Sequence, residues 1–189
     1  MNALFLYSHN MEDVESVGTR GLLKRAGFNV HTATFEDSLT IETKFGQTLS
    51  AQLYAREINV ADYDVLIIPG GPYVKGILDS DNEVKNDFED KIVGLVKRFN
   101  HENKMIAAIC AGPRFLGRAG LLDGITYTAF TGSDKDAPRG HYDPSIKAMR
   151  KGHIITGRGA GVIYEFAYEI VKAFKGEDAA DALLEAILH

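Results

Sequence analysis

Met105-Ile106-Ala107-Ala108-Ile109-Cys110-Ala111-Gly112-Pro113 runs from a short apolar burst into the chain's one cysteine, two small residues and a proline. A burst this short reads as a buried strand rather than a helix. Small residues after it permit a tight turn, and Pro113 suits the first turn of a helix. The stretch therefore predicts a strand ending in an elbow, with the Cys110 sulfur at a helix N-terminus. Partial positive charge and amide donors there lower a thiol pKa and favour the nucleophilic thiolate. A lone cysteine beside a strand is also commonly an inert small hydrophobe, and the spacing leaves both readings open.

Outward from this stretch, Ala3 to Tyr7 and Val65 to Ile68 repeat the short apolar pattern and alternate with stretches of helical spacing. Such alternation predicts an α/β fold with parallel strands and crossover helices. Asn10 is placed to cap a first helix carrying Glu12 and Asp13 in its first turn and ending at Gly27. Val30 to Thr34 is the next strand, and Leu39 to Leu53 alternates around Lys44, Phe45 and Gly46 like an antiparallel edge hairpin. A helix over Glu83 to Phe99 leads back to the strand before Cys110. Residues Asp123 to Arg150 read as an irregular charged surface loop. The strand His153 to Thr156, a glycine-rich turn, a helix Val162 to Lys175 stopped by Gly176, and a last amphipathic helix complete the chain.

The 189 residues, 45% hydrophobic and 25% charged, bury one sizeable core, so a single domain over residues 1–189 is expected. The net charge of −5, with no basic cluster interleaved with aromatics, argues against a nucleic-acid partner. No run approaches the roughly 20 apolar residues of a membrane span, and the first residues lack the pattern of an export signal. A soluble cytoplasmic protein is expected, with its thiol free in a reducing compartment.

Open parallel sheets bind ligands outside the carboxyl ends of their strands. Three such ends carry unusual residues: Ser8 to Glu15, Pro69 to Pro72, and Cys110 to Pro113. The Pro69-Gly70-Gly71-Pro72 turn offers the unobstructed N–H groups of Gly70 and Gly71, as an oxyanion hole requires, although a turn needs glycine in any case. Glu15 projects over the sheet if the first helix starts near Asn10, but spacing does not choose among Glu12, Asp13 and Glu15. An acid facing the thiolate would share a proton with it, so a protonated Glu15 donating to sulfur is the sensible arrangement.

Six histidines are scattered without the paired spacing of metal ligands, so no metal is expected. His141, in the long loop, is the one considered as a partner of Cys110, against the reading of an exposed loop residue. Gly157-Arg158-Gly159-Ala160-Gly161 is not a dinucleotide fingerprint, and tight backbone packing accounts for it better than a cofactor.

With these features in place, the chain resembles the ThiJ/PfpI superfamily over essentially its whole length. Ala108-Ile109-Cys110-Ala111-Gly112-Pro113 is similar to that family's nucleophile elbow, Ile68-Pro69-Gly70-Gly71 to its oxyanion turn, and Glu15-Ser16-Val17 to its thiolate-facing acid. Gly140-His141-Tyr142, Arg158-Gly159 and Tyr164-Glu165-Phe166-Ala167 resemble segments of its deglycase branch. The resemblance implies a flavodoxin-like, doubly wound, mostly parallel sheet sandwiched by helices, usually as a homodimer. It also implies an oxidisable cysteine and cofactor-free action on glyoxals or glycated groups. Ala111 replaces the histidine that follows the nucleophile in the protease-like branch, which argues against proteolysis. Residues Leu121 to Gly140 lack the upstream histidine of the deglycase branch, and Lys44 and Phe45 stand about where that branch carries an arginine given to the partner's site.

The expected mechanism is attack of Cys110 on an aldehyde, with the Gly71 and Ala111 amides holding the oxyanion and Glu15 shuttling the proton, without metal or glutathione. The rival reading is a redox sensor or stress-protective protein that uses the same thiol for reversible oxidation. A third keeps the fold and has lost activity.

Overall fold

The computed structural model describes residues 1–80 and 82–189. Its centre is a seven-stranded sheet built from β1 (Asn2–Tyr7), β2 (Asn29–Thr34), β5 (Leu53–Tyr54), β6 (Val65–Ile68), β7 (Met105–Ile109), β10 (Ala148–Lys151) and β11 (Ile154–Gly157). The order is β10-β11-β7-β6-β1-β2-β5, parallel throughout except for β10 against β11. The short apolar bursts are its middle strands, and β6 and β7 are buried at every residue. Such continuous burial needs helices on both faces, which is why these strands read as unbroken apolar runs.

The helices are α1 (Thr19–Arg25), α2 (Pro72–Leu78), α3 (Glu83–His101), α4 (Pro113–Arg118), α5 (Ile163–Lys175) and α6 (Glu177–Ala186). In α5, Ile163, Phe166, Ala167, Ile170 and Val171 are buried, the spacing of a single apolar face. Gly176, at φ +87°, ends α5 and opens α6, as glycine alone does without strain.

The chain winds outward through β1 and β2, then returns to place β6 and β7 on the other side of β1. The carboxyl ends of β1, β6 and β7 are therefore neighbours at the point where the winding reverses, the place where open α/β sheets make their crevice. All three unusual strand ends meet there.

Three expectations are corrected. Asn10 is not a helix cap: it sits in the left-handed region at φ +60°, and the first helix opens later as a π-helical turn over Val14–Gly18. The excursion after β2 splits in two. Only β3 (Thr40–Glu42) and β4 (Thr48–Ser50) form the antiparallel hairpin, while Leu53 and Tyr54 join the main sheet parallel to β2. The region from Asp123 to Arg150 is not wholly irregular, because β8 (Thr126–Tyr127) pairs with β9 (His141–Tyr142) and β10 is an edge strand. Its paired segments are only two to four residues long, too short for periodicity to register. In addition, the turn after β6 runs straight into α2, an element not expected from the sequence, with Pro72 at its first position.

The hairpin matters because an isolated pair of strands is marginal in water. Here Asn10 N–H donates to Glu42 O and Lys44 N–H to Met11 O, both at 2.9 Å. Asp13 accepts from the Thr43 hydroxyl at 2.5 Å and from Phe45 N–H at 3.1 Å. The tip is thus fastened to the segment that follows β1.

Candidate active site around Cys110 and Glu15

Cys110 occupies the left-handed region at φ +61°, unusual for a residue with a side chain. Holding it there costs roughly 1–3 kcal/mol, so its surroundings must over-determine it. Its N–H donates to Gly157 O and its carbonyl accepts from Phe130 N–H, each at 2.8 Å. A Cβ at Gly112 would fall 2.6 Å from Ile68 O, so the elbow closes only around a glycine at that position. The sulfur is held half-buried at the carboxyl end of β7.

Glu15 comes from the π-helical turn and is fully buried. Gly70 N–H donates to its Oε2 at 2.8 Å. A Cβ at Gly70 would lie 2.6 Å from Cys110 Cβ, 2.8 Å from Ala111 N and 2.9 Å from Glu15 Oε2, so the glycine lets acid and thiol meet. The choice among three acids is resolved. Glu12 Oε2 accepts Glu15 N–H at 2.8 Å, Asp13 is turned to the hairpin, and Glu15 is the acid whose carboxyl hydrogen-bonds with the Cys110 thiol.

Burial pushes Glu15 from an ordinary 4.5 up to about 7, against the opposing pull of the Cys110 thiol and Gly70 N–H. Burial, and next the Glu15 charge, also push the Cys110 thiol up, against the lowering effect of Ala111 N–H. The expectation of a thiol depressed by a helix N-terminus is therefore corrected: desolvation and a facing carboxylate outweigh a six-residue helix. Two groups raised together hold at least one proton between them at neutral pH. Glu15 Oε1 is buried without a hydrogen-bond partner among the described residues, which leaves an oxygen available for that proton.

The oxyanion donors divide. Gly70 N–H is engaged by Glu15, so the donor assigned to a substrate there is already used. Gly71 is held at φ +129°, and a Cβ on it would fall 2.5 Å from Asn10 O. Gly71 N–H is taken by no backbone carbonyl among the described residues, whereas Ala111 N–H is directed at the Cys110 sulfur, whose ionised form it favours.

Two hollows, of about 440 and 470 Å³, open on either side of the sulfur and share Glu12, Lys44, Cys110, Phe130 and Thr131. One extends past Tyr142 and Arg158, the other along α2 past Gly71 and Lys75. His141 is exposed on β9 and lines neither, so the structure does not bring it to Cys110; its neighbour Tyr142 is the residue that reaches the site. In the glycine-rich turn, tight packing holds at Gly157, where a Cβ would lie 3.0 Å from Phe166, whereas Gly159 and Gly161 line the first hollow.

Sequence reasoning missed the ion network under the second hollow. Arg114, in the elbow helix and only 4% exposed, pairs with Asp79 at 2.5 Å and with Asp136, and Lys135 pairs with Asp79 at 2.9 Å. An arginine just after the nucleophile was its one sequence signal.

The DJ-1/PfpI family model matches residues 1–173. The chain belongs to the DJ-1/PfpI family. A deglycase of Pyrococcus abyssi is 30% identical over 176 residues, covering 93% of this chain and 100% of that protein. The Parkinson disease protein 7 homologue of Danio rerio is 29% identical, covering 94% of this chain and 92% of its own length. Among solved structures, oxidized DJ-1 from Toxoplasma gondii superposes with a TM-score of 0.86 at 25% identity, over 100% of this chain and 98% of that one. The flavodoxin-like sheet is therefore that of the DJ-1/PfpI family.

Proposed function

We propose that the chain is a cofactor-independent cysteine enzyme acting on glyoxals or glycated groups. The observation that carries the reading is the buried Glu15, raised to about 7, packed against a nucleophile at the meeting of two hollows. A raised thiol is not a nucleophile by itself. Ionised Glu15 takes the sulfur's proton as sulfur attacks the aldehyde carbon, and the resulting hemithioacetal oxygen faces Gly71 and Ala111 N–H. Glu15 returns that proton to the hemithioacetal oxygen and, ionised again, moves the proton of the former aldehyde carbon to its ketone neighbour while the hydroxyl proton passes to the former ketone oxygen. That isomerises the adduct to a hydroxy acid thioester, and water releases the acid and restores the thiol. No metal or glutathione enters the balance. The deglycase name of the Pyrococcus abyssi relative supports the same substrate class.

The test is conversion of methylglyoxal to lactate by the purified protein and by Cys110→Ser, without glutathione or added metal. Turnover lost in the variant is the expected result, and turnover retained in it refutes Cys110 as nucleophile. If neither form turns over, the result favours another substrate or the second reading, a redox sensor in which peroxide oxidises Cys110 to a sulfinate. The unpartnered Glu15 Oε1 favours that reading, since its carboxylic acid form has a proton to donate to a sulfinate oxygen. Mass spectrometry of peroxide-treated protein decides it. A homodimer in the cytoplasm completes the proposal, supported by exposed Val14 and Val17 on the first helical turn.

A further inference from the structure

Both hollows beside Cys110 are lined by Lys44 and Glu12, and they differ in the charges added to these: Lys75, Arg114, Lys135 and Asp79 in one, Glu15 and Arg158 in the other. The one along α2 is lined by the cations Lys44, Lys75, Arg114 and Lys135 and by the acids Glu12 and Asp79. These charges do not cancel in place. Asp79 is shared by Arg114 and Lys135, and Arg114 also holds Asp136, so those groups satisfy one another beneath the hollow. Glu12 turns its Oε2 to Glu15 N–H. Lys75 forms no ion pair among the described residues, and Lys44 forms none either, its Nζ resting 4.7 Å from the centre of the Phe45 ring. Lys75 therefore stands uncompensated on the wall that also carries Gly71, Ala111 and Ser133, and Lys44, whose charge favours the ionised form of Glu15, adds a second ammonium group on the lining the two hollows share. In the other hollow, Arg158 lies 3.3 Å from Pro144 O and 3.4 Å from Ser145 O, and the walls include Ala129, Tyr142 and Val162.

We propose that Lys44 and Lys75 make the hollow along α2 an anion subsite, so that the carbonyl compound presented to Cys110 carries a carboxylate or phosphate. The inference rests on Cys110 as the nucleophile and names the substrate class for it. A neutral aldehyde uses the elbow and the Gly71 side alone. An anionic one is oriented with its charge toward the lysines and its carbonyl over the sulfur. Both lysines are exposed, so the attraction is screened by salt. Lysine, a flexible point charge, suits either anion, whereas a bidentate arginine fork would have been more selective.

The test is the rate of Cys110 alkylation by iodoacetate and by iodoacetamide, a charged and a neutral reagent of nearly equal size, in the wild type, Lys75→Gln and Lys44→Gln. Lys75→Gln is expected to slow iodoacetate about three- to tenfold and to leave iodoacetamide within about twofold. About 0.5 M salt should reproduce that loss in the wild type. Protection of Cys110 by inorganic phosphate rather than acetate assigns a phosphate, and the reverse assigns a carboxylate. Equal slowing of both reagents, or of neither, overturns the subsite. A lysine-dependent iodoacetate preference without turnover of methylglyoxal or of an anionic 2-oxoaldehyde instead refutes the glyoxalase reading and leaves the subsite standing.

Discussion

Gly70 N–H donates to Glu15 Oε2 at 2.8 Å, so the turn after β6 holds the acid from the first helix against the thiol that ends β7. Replacing Gly70 by alanine would force a Cβ to within 2.6 Å of Cys110 Cβ and 2.8 Å of Ala111 N. These are backbone-anchored atoms that cannot turn aside. Gly70→Ala is expected to lower stability by about 1–3 kcal/mol, as overpacking does, and to reduce turnover further by displacing Glu15. Urea unfolding and kcat/KM measured on one preparation check both effects. Unchanged stability would mean that the three strand ends are looser than the distances state.

Glu15→Gln keeps an acceptor for Gly70 N–H and removes the titrating proton. The folded pKa of about 7 lies above the ordinary 4.5, so between those values the unfolded chain releases a proton that the folded one keeps. Stability attributable to Glu15 is thus fully present below about pH 4.5, declines as pH rises and is gone above about pH 7. The full change is up to about 3 kcal/mol, an upper bound for a pair that shares a proton. Denaturant midpoints of wild type and variant should converge in acid and separate above neutrality, with the variant more stable. Turnover should fall about 10²- to 10⁴-fold in the variant and lose its rise with pH near 7. Equal activity would remove Glu15 from proton transfer.

The legibility of the chain follows range of interaction. β1, β6 and β7 were legible because each is a buried apolar run, and the Cys110 elbow because small residues and a proline mark a turn locally. Glu15 was singled out by resemblance, since three acids within one turn are equivalent until the packing separates them. Asn10 failed as a cap because its left-handed conformation answers to the Gly71 turn and the hairpin, partners far away in sequence. The thiol's raised pKa was invisible for the same reason: burial and a carboxylate from another element set it. Lys75 looks like any solvated helix lysine until the hollow beside Cys110 is seen.

Arg114 anchors the loop that walls the second hollow, through Asp136 from one side and Asp79 from the other. Arg114→Ala would leave Asp136, whose side chain is 6% exposed, with Arg118 at 2.8 Å as its remaining cation. The expected loss is about 3 kcal/mol, typical of breaking a buried pair. Asp136→Ala in the same chain should return part of it, because the stranded charge is then gone. A double-mutant cycle by thermal or urea unfolding measures the coupling, and additive losses would show that the pair does not act as a unit.

Cys110 at φ +61° ties function to strain, since a residue with a Cβ is held where glycine alone is at ease. Cys110→Ala and Cys110→Gly both remove the nucleophile, and both should abolish turnover. Ordinarily alanine is the more stabilising of the two, because glycine loses more backbone freedom on folding. Here the order should invert, with Cys110→Gly the more stable by about 1 kcal/mol, because the left-handed penalty disappears only without a Cβ. Side-by-side unfolding of the two variants separates strain from chemistry, as neither has a thiol. If alanine proves the more stable, the elbow is relaxed rather than strained, and the hydrogen bonds to Gly157 O and from Phe130 N–H are not holding Cys110 against a conformational cost.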